Sequence, residues 1–221
     1  AFSDEVLPVA TIHSGPAGGV MGARFLGELL GYKDIVSADV GGTTFDVSLI
    51  RNGKVSHARE PIMEKHHTLY PTIDVTSIGA GGGTIIWADP EMGTLHVGPK
   101  SAGSDPGPVC YGFGGTEPTL TDAALILGYI NPDHFFGGTM KLDQDKATKS
   151  LEGVARQVGM DVTQLAAGAY DIVNAHMADL ITGVTVRKGY DIRDFTLFVF
   201  GGAGPLHAAA IGGEIGIKEI V

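Results

Sequence analysis

Ile35-Val36-Ser37-Ala38-Asp39-Val40-Gly41-Gly42-Thr43-Thr44-Phe45-Asp46-Val47-Ser48-Leu49-Ile50 reads as two apolar strands joined by a polar Gly-Gly-Thr-Thr turn. Asp39 stands at the end of the first strand. The two glycines allow positive φ and bring backbone N–H groups close to whatever occupies the turn. Such a turn suits phosphate. Its N–H groups and the Thr43 and Thr44 hydroxyls would donate to phosphate oxygens, and Asp39 would hold a hydrated Mg²⁺ or orient an attacking water, because Mg²⁺ prefers one or two carboxylates plus waters. That combination points to ATP chemistry.

Working outward, Ser14-Gly15-Pro16 resembles a helix start with Pro in its first turn, and Ala17, Met21, Phe25 and Leu29 follow at four-residue spacing. This pattern predicts a helix that packs those residues on a sheet. Strands are expected at 35–40, 45–51 and 54–60, the last two joined through Asn52-Gly53, a strong hairpin signal. The segment 65–138 is rich in Gly, Pro and Thr, with short strands expected at 84–88 and 95–98 and a helix at 121–129; it reads as an inserted subdomain. Asp143 can cap a helix running to 158, and a longer helix is expected over 163–188, its buried face including His176. Phe195-Thr196-Leu197-Phe198-Val199-Phe200 then suits a central strand covered on both faces. Gly201-Gly202-Ala203-Gly204-Pro205 breaks it, and a helix follows.

Composition narrows the function classes. The 221 residues, 43% hydrophobic and 18% charged, suffice for one sizeable core or a main domain with a subdomain. A formal net charge of -10, with no basic run longer than Arg187-Lys188, argues against a nucleic-acid surface. The single Cys110 forms neither an intrachain disulfide nor a cysteine-rich zinc site, which fits a reducing cytoplasm. Nothing reads as a signal peptide or membrane span. The 34 glycines cluster at the ends of apolar runs, as tight turns of an ordered fold do. The absence of an initiator Met and the halt at Glu219-Ile220-Val221 within a strand-like run suggest a piece of a longer protein.

Several polar residues invite two readings. Asp46 would approach metal or phosphates, or bond local backbone N–H groups. Gly81-Gly82-Gly83 would cradle substrate or phosphate, or form tight turns, and Asp74 before them is a candidate acid or base. Asp122 would serve a substrate site or cap a helix. His207 would face a nucleotide or pack its helix. His66-His67 is a poor metal pair, because adjacent side chains point apart. Cys110 lacks an evident activating base.

The order of elements, a hairpin with Asp-x-Gly-Gly-Thr, a third strand, an insertion, helices, a strand, Gly-Gly-Ala-Gly and a helix, resembles one lobe of the actin/hexokinase/Hsp70 ATPase superfamily. Within it, Ser14 to Gly19, Asp39 to Asp46, Ser77 to Gly83, Ser101 to Pro108, Thr119 to Ala123 and Phe200 to Ala208 resemble the hydantoinase A/5-oxoprolinase/acetone carboxylase family. The resemblance implies an α/β fold: a ribonuclease H-like (actin-like ATPase) lobe at 1–64 and 139–221, with a mixed sheet flanked by helices and the insertion at 65–138. It implies ATP and Mg²⁺ as cofactors, with Gly41, Gly42, Thr43 and Thr44 as a phosphate loop and Gly201, Gly202, Ala203 and Gly204 against adenosine. Asp39 is then catalytic and metal-holding, with Asp46 and Asp122 as further catalytic candidates. Members phosphorylate a cyclic amide for ring opening or activate bicarbonate and a ketone for carboxylation. The expected activity is accordingly an ATP-dependent cyclic-amide hydrolase in the cytoplasm, with a ketone carboxylase or a non-catalytic nucleotide-dependent assembly module as alternatives. Only one Asp-Gly-Gly-Thr-type turn occurs here, so an N-terminal lobe of the parent chain and a hydantoinase B-type subunit are the implied partners. Alone, the fragment would bind ATP weakly and turn over little.

Overall fold

The computed structural model describes residues 14–58 and 71–221, and the backbone alone at 62–63 and 66–67. Helix α1 (Ser14–Leu30) leads into strands β1 (Ile35–Val40), β2 (Phe45–Arg51) and β3 (Lys54–Val55). Short strands β4 (His57–Ala58), β5 (Ile62–Met63), β6 (His66–His67), β7 (Thr72–Ile73) and β8 (Thr76–Ile78) follow, then the hairpin β9 (Thr84–Ala88) and β10 (Leu95–Ser101). Helices α2 (Leu120–Ile126), α3 (Gln144–Val158) and α4 (Val162–Arg187) precede β11 (Thr196–Phe200) and α5 (Gly204–Ile215).

The main sheet runs β11-β1-β2-β3, with β8 also paired to β2. It is mixed: β1 lies parallel to β11 and antiparallel to β2, with Asp39 opposite Asp46. Alternation along the strands sends Val36, Ala38, Val40, Phe45, Val47 and Leu49 to the face covered by α4. Ile35, Ile50 and Phe198 go to the other face, under α1. The hairpin turn at Asn52-Gly53 has φ values of 51° and 73°, the left-handed pair its sequence predicts.

The expected run at 54–60 divides: β3 stays on β2, whereas β4 leaves to pair with β7, and 59–60 lie outside the described residues. Residues Ala80, Ile86, Val97, Leu120 and Ala123 of the 65–138 segment join the same core as Leu165, Val173 and Leu197. Asp143 and Asp161 cap α3 and α4, accepting from the N–H groups of Lys146 and Gln164.

Helix α1 corrects one expectation. Met21, Phe25 and Leu29 are 44%, 65% and 67% exposed, while Val20, Ala23 and Gly27 are buried. The sheet takes the small-residue stripe Gly19, Ala23 and Gly27 because the helix comes too close for larger groups. A Cβ at Gly27 would stand 2.3 Å from Ile35 Cδ1, and one at Gly19 would stand 2.5 Å from the Phe200 ring. His176 is likewise exposed rather than part of the buried face of α4, because Val173, Met177 and Ile181 supply that face.

Candidate functional site

Three glycine-rich segments converge at the ends of β1, β2 and β11. Within the first turn the Gly41 N–H donates to Thr44 O at 3.0 Å, and the Thr44 hydroxyl lies 3.3 Å from Asp46 Oδ2. Neither Gly41 nor Gly42 adopts positive φ, in contrast to the expectation for this turn. Nor is there crowding at either position of the turn: a Cβ at Gly41 would make only an ordinary contact with Thr44 O at 3.7 Å, and one at Gly42 would meet nothing within 4 Å among the described residues.

Gly81-Gly82-Gly83 lies directly on it. Gly82 N–H donates to Gly41 O at 3.1 Å and Gly83 N–H to Gly42 O at 2.7 Å. The Thr121 N–H and hydroxyl both donate to Gly82 O at 2.8 Å, which ties the start of α2 to the same place. This clamp is a feature that reading the residues in order did not reveal. A Cβ at Gly81 would stand 2.6 Å from Gly41 O and 2.9 Å from Gly42 C and Thr43 N, backbone atoms that have no free rotation to yield. Gly81→Ala is expected to cost about 1–3 kcal/mol, read as a fall in Tm. Gly18→Ala, which meets nothing within 4 Å, is the control expected to show no loss.

The third segment follows β11. Gly201 has φ of +90°, and a Cβ there would stand 2.3 Å from Asp39 Oδ1 and 2.4 Å from Val40 O. Ala203 N–H donates to Val40 O at 3.0 Å, fixing the turn across the end of β1. Helix α5 then starts at Gly204 with Pro205 in its first turn; the Gly204 and Leu206 N–H groups donate to Gly201 O and Ala203 O, and the helix end carries a positive partial charge.

Gly41, Gly42, Thr43, Gly82, Gly83, Gly202 and Ala203 line one cavity of about 920 Å³. Asp39, Thr44, Asp46, Gly201 and Gly204 stand outside that lining. The two carboxylates occupy the α1 face of the sheet, beside the turn. Burial, and secondarily the charge of Asp46, raise the Asp39 carboxyl above its ordinary value of 3.8. A cation would relieve this crowding of like charge, so the pair suits a Mg²⁺ held by one or two carboxylates with waters and phosphate. No cluster of three or more metal-ligating side chains occurs among the described residues.

Asp122 is placed elsewhere. It is wholly buried, and its carboxylate accepts from the N–H groups of Val109, Cys110 and Thr119 at 3.2, 2.7 and 2.8 Å and from the Thr119 hydroxyl at 2.8 Å. Cys110 is fully buried, and burial pushes its thiol well above the ordinary range, consistent with an inert cysteine. Asp74 pairs with Lys188. His207 is buried, stacks on Tyr170 at 5.3 Å and meets Asn174 Oδ1 through Nδ1 at 3.0 Å; burial pushes it down to about 4, so it is neutral. The side chains of His66 and His67 lie outside the described residues.

Among the described residues no helix is long and apolar enough to cross a membrane. The family model described as Hydantoinase/oxoprolinase matches residues 3–221. The acetophenone carboxylase gamma subunit of Aromatoleum aromaticum is 45% identical over 207 residues, which covers 93% of this chain and 28% of that protein. A nucleotide-free acetone carboxylase, solved in work on the mechanism of ATP-dependent acetone carboxylation, shares the fold with a TM-score of 0.89 at 38% identity. The ATP-dependent caprolactamase of Pseudomonas jessenii does so with a TM-score of 0.85 at 38% identity. Each structural match covers 95% of this chain and 30% of the other. The mixed α/β architecture expected from the sequence is that of these structures, and the chain spans less than a third of such relatives.

Proposed function

The chain belongs to the hydantoinase/oxoprolinase family, and from that membership we propose that it is the ATP-binding part of a longer enzyme that phosphorylates the amide oxygen of a cyclic amide so that its C–N bond hydrolyses. One observation carries the ATP reading. Among the described residues nothing comes within 4 Å of where a Cβ would stand at Gly42 or Gly202, yet both line the cavity. A ligand pressed against bare backbone accounts for glycine at both places.

The Gly42 and Thr43 N–H groups, with Gly41 holding the turn through its own N–H, and the Thr43 and Thr44 hydroxyls would donate to phosphate oxygens. Asp39, with Asp46 opposite, would hold Mg²⁺ or orient the nucleophile, and the α5 N-terminus would face the anion. Mg²⁺, when bound, supplies neutralisation of the phosphate charge. Phosphorylation of the oxygen makes the amide carbon electrophilic: water adds to it, the C–N bond breaks as the ring nitrogen takes a proton and leaves as an amine, and a second water releases phosphate from the acyl phosphate that remains. In this reading 1–64 and 139–221 form the lobe, 65–138 its insertion. An N-terminal lobe of the parent chain and a hydantoinase B-type subunit complete the site.

A second reading, carboxylation of a ketone with bicarbonate, draws on the 45% identity to the acetophenone carboxylase subunit. Phosphate release by the full-length parent with its partner subunit separates them. Stimulation by hydantoins, 5-oxoproline or other lactams is the expected result. Stimulation only by ketone plus bicarbonate would replace the hydrolase by the carboxylase, and silence in both would leave the chemistry misassigned.

A further inference from the structure

The cavity has a second wall that the fold does not require. Phe136 and Tyr129 line it, yet they are 71% and 52% exposed, so each presents an uncovered ring to the space the glycine turns also face. Phe136 has φ of +48°, and Gly137 and Gly138 after it have φ of 66° and 86°. A bulky residue in the left-handed region is strained, and such strain persists where the side chain's position matters. Phe136 packs edge to face on Phe135 at 4.9 Å. Tyr129 is fixed independently: it meets Tyr170 edge-on at 5.1 Å, and Tyr170 donates its hydroxyl hydrogen bond to Leu206 O in the first turn of α5. Leu206 lines the same cavity, so one side chain sets both the aromatic wall and the helix start across from it.

We infer that Tyr129 and Phe136 form a stacking seat for a planar ring, and that this ring is the purine of the bound nucleotide. The inference rests on the reading of the cavity as an ATP site. A single cavity joins the Gly41-Gly42-Thr43 turn, which in this reading takes the anionic chain, to exposed rings, which suit a flat aromatic group. A nucleoside triphosphate carries both features on one molecule. Uncovered rings beside the turns then gain by covering a base face, and the strained backbone at Phe136 is explained by what it presents.

Isothermal titration calorimetry on the full-length parent with its partner subunit tests this, using ATP and inorganic tripolyphosphate against wild type, Phe136→Gly and Tyr129→Ala. Each variant is expected to bind ATP roughly 5- to 150-fold more weakly, with tripolyphosphate unchanged. Phe136→Gly should also keep or raise Tm, because glycine is at ease with positive φ. A purely structural role for Phe136 predicts the opposite, a lower Tm with equal losses for both ligands. Unchanged ATP affinity in both variants, with tripolyphosphate still bound, overturns the purine assignment and leaves the phosphate turn standing. Unchanged ATP affinity with weakened lactam or ketone binding overturns it too and gives the wall to substrate. Failure of wild type to bind either phosphate ligand removes the ATP reading and this inference with it.

Discussion

Asp39→Asn in the full-length parent is expected to lower ATP-dependent phosphate release by roughly 10²- to 10⁴-fold while leaving the fold intact. The side chain sits where β1, the Gly201 turn and α1 meet: a Cβ at Gly201 would touch Asp39 Oδ1 at 2.3 Å, and one at Gly19 would come within 3.7 Å of Oδ2. Asparagine keeps the shape that those neighbours require and removes the charge that Mg²⁺ or an attacking water needs. The stability effect has the opposite sign. Because burial and Asp46 raise the carboxyl above 3.8, the folded state holds its proton more tightly than the unfolded chain. That contribution favours folding at low pH and is lost as pH rises through the raised value. Asn should therefore show an unchanged or higher Tm at neutral pH, measured by thermal unfolding beside the assay. Asp46→Asn, which removes the like charge across the register, should move the acid limb of the pH–rate profile to lower pH. Turnover retained in Asp39→Asn would take this residue out of the mechanism.

The sheet and its turn were readable because each signal was local. Alternating apolar residues flank Gly41-Gly42, Asn52-Gly53 marks a hairpin, and a continuous apolar run precedes Gly201, so period and punctuation suffice. What could not be read depends on residues far apart in the chain. The contact of Gly81 with Gly41 spans the β4 to β8 region, and nothing in either stretch names its partner. The buried side of α1 depends on such contacts too: apolar spacing favours Met21, Phe25 and Leu29, but the distance of closest approach to Ile35 and Phe200 selects Gly19, Ala23 and Gly27. Large side chains advertise hydrophobicity, whereas a close helix–sheet contact selects for small ones. The aromatic wall is equally hidden, since Tyr129 and Phe136 come to share a cavity with the glycine turns only through the fold of α2 and the loop after it.

Asp122→Ala is expected to destabilise the protein by about 3–5 kcal/mol, a fall in Tm of roughly 6–20 °C for a chain of this size. The carboxylate is the shared acceptor for three backbone N–H groups and the Thr119 hydroxyl, and it is fully buried. Its removal leaves those donors with no replacement acceptor and little access to water, and each unpaired donor carries its own desolvation cost. The geometry is a capping box closed onto the Val109-Cys110 turn as well as onto α2, so the loss would loosen the loop that carries Tyr111 along with the helix start. The damage would reach the cavity indirectly, because Thr121 of the same helix start holds the Gly82 carbonyl. Asp122→Asn distinguishes this role from a catalytic one. The amide retains one acceptor oxygen but turns N–H groups toward donors, so a structural residue predicts an intermediate Tm with turnover per folded molecule near wild type. A variant with wild-type Tm and abolished turnover would instead place the Asp122 charge in the chemistry, and the two outcomes are separated by recording unfolding and phosphate release on the same preparation.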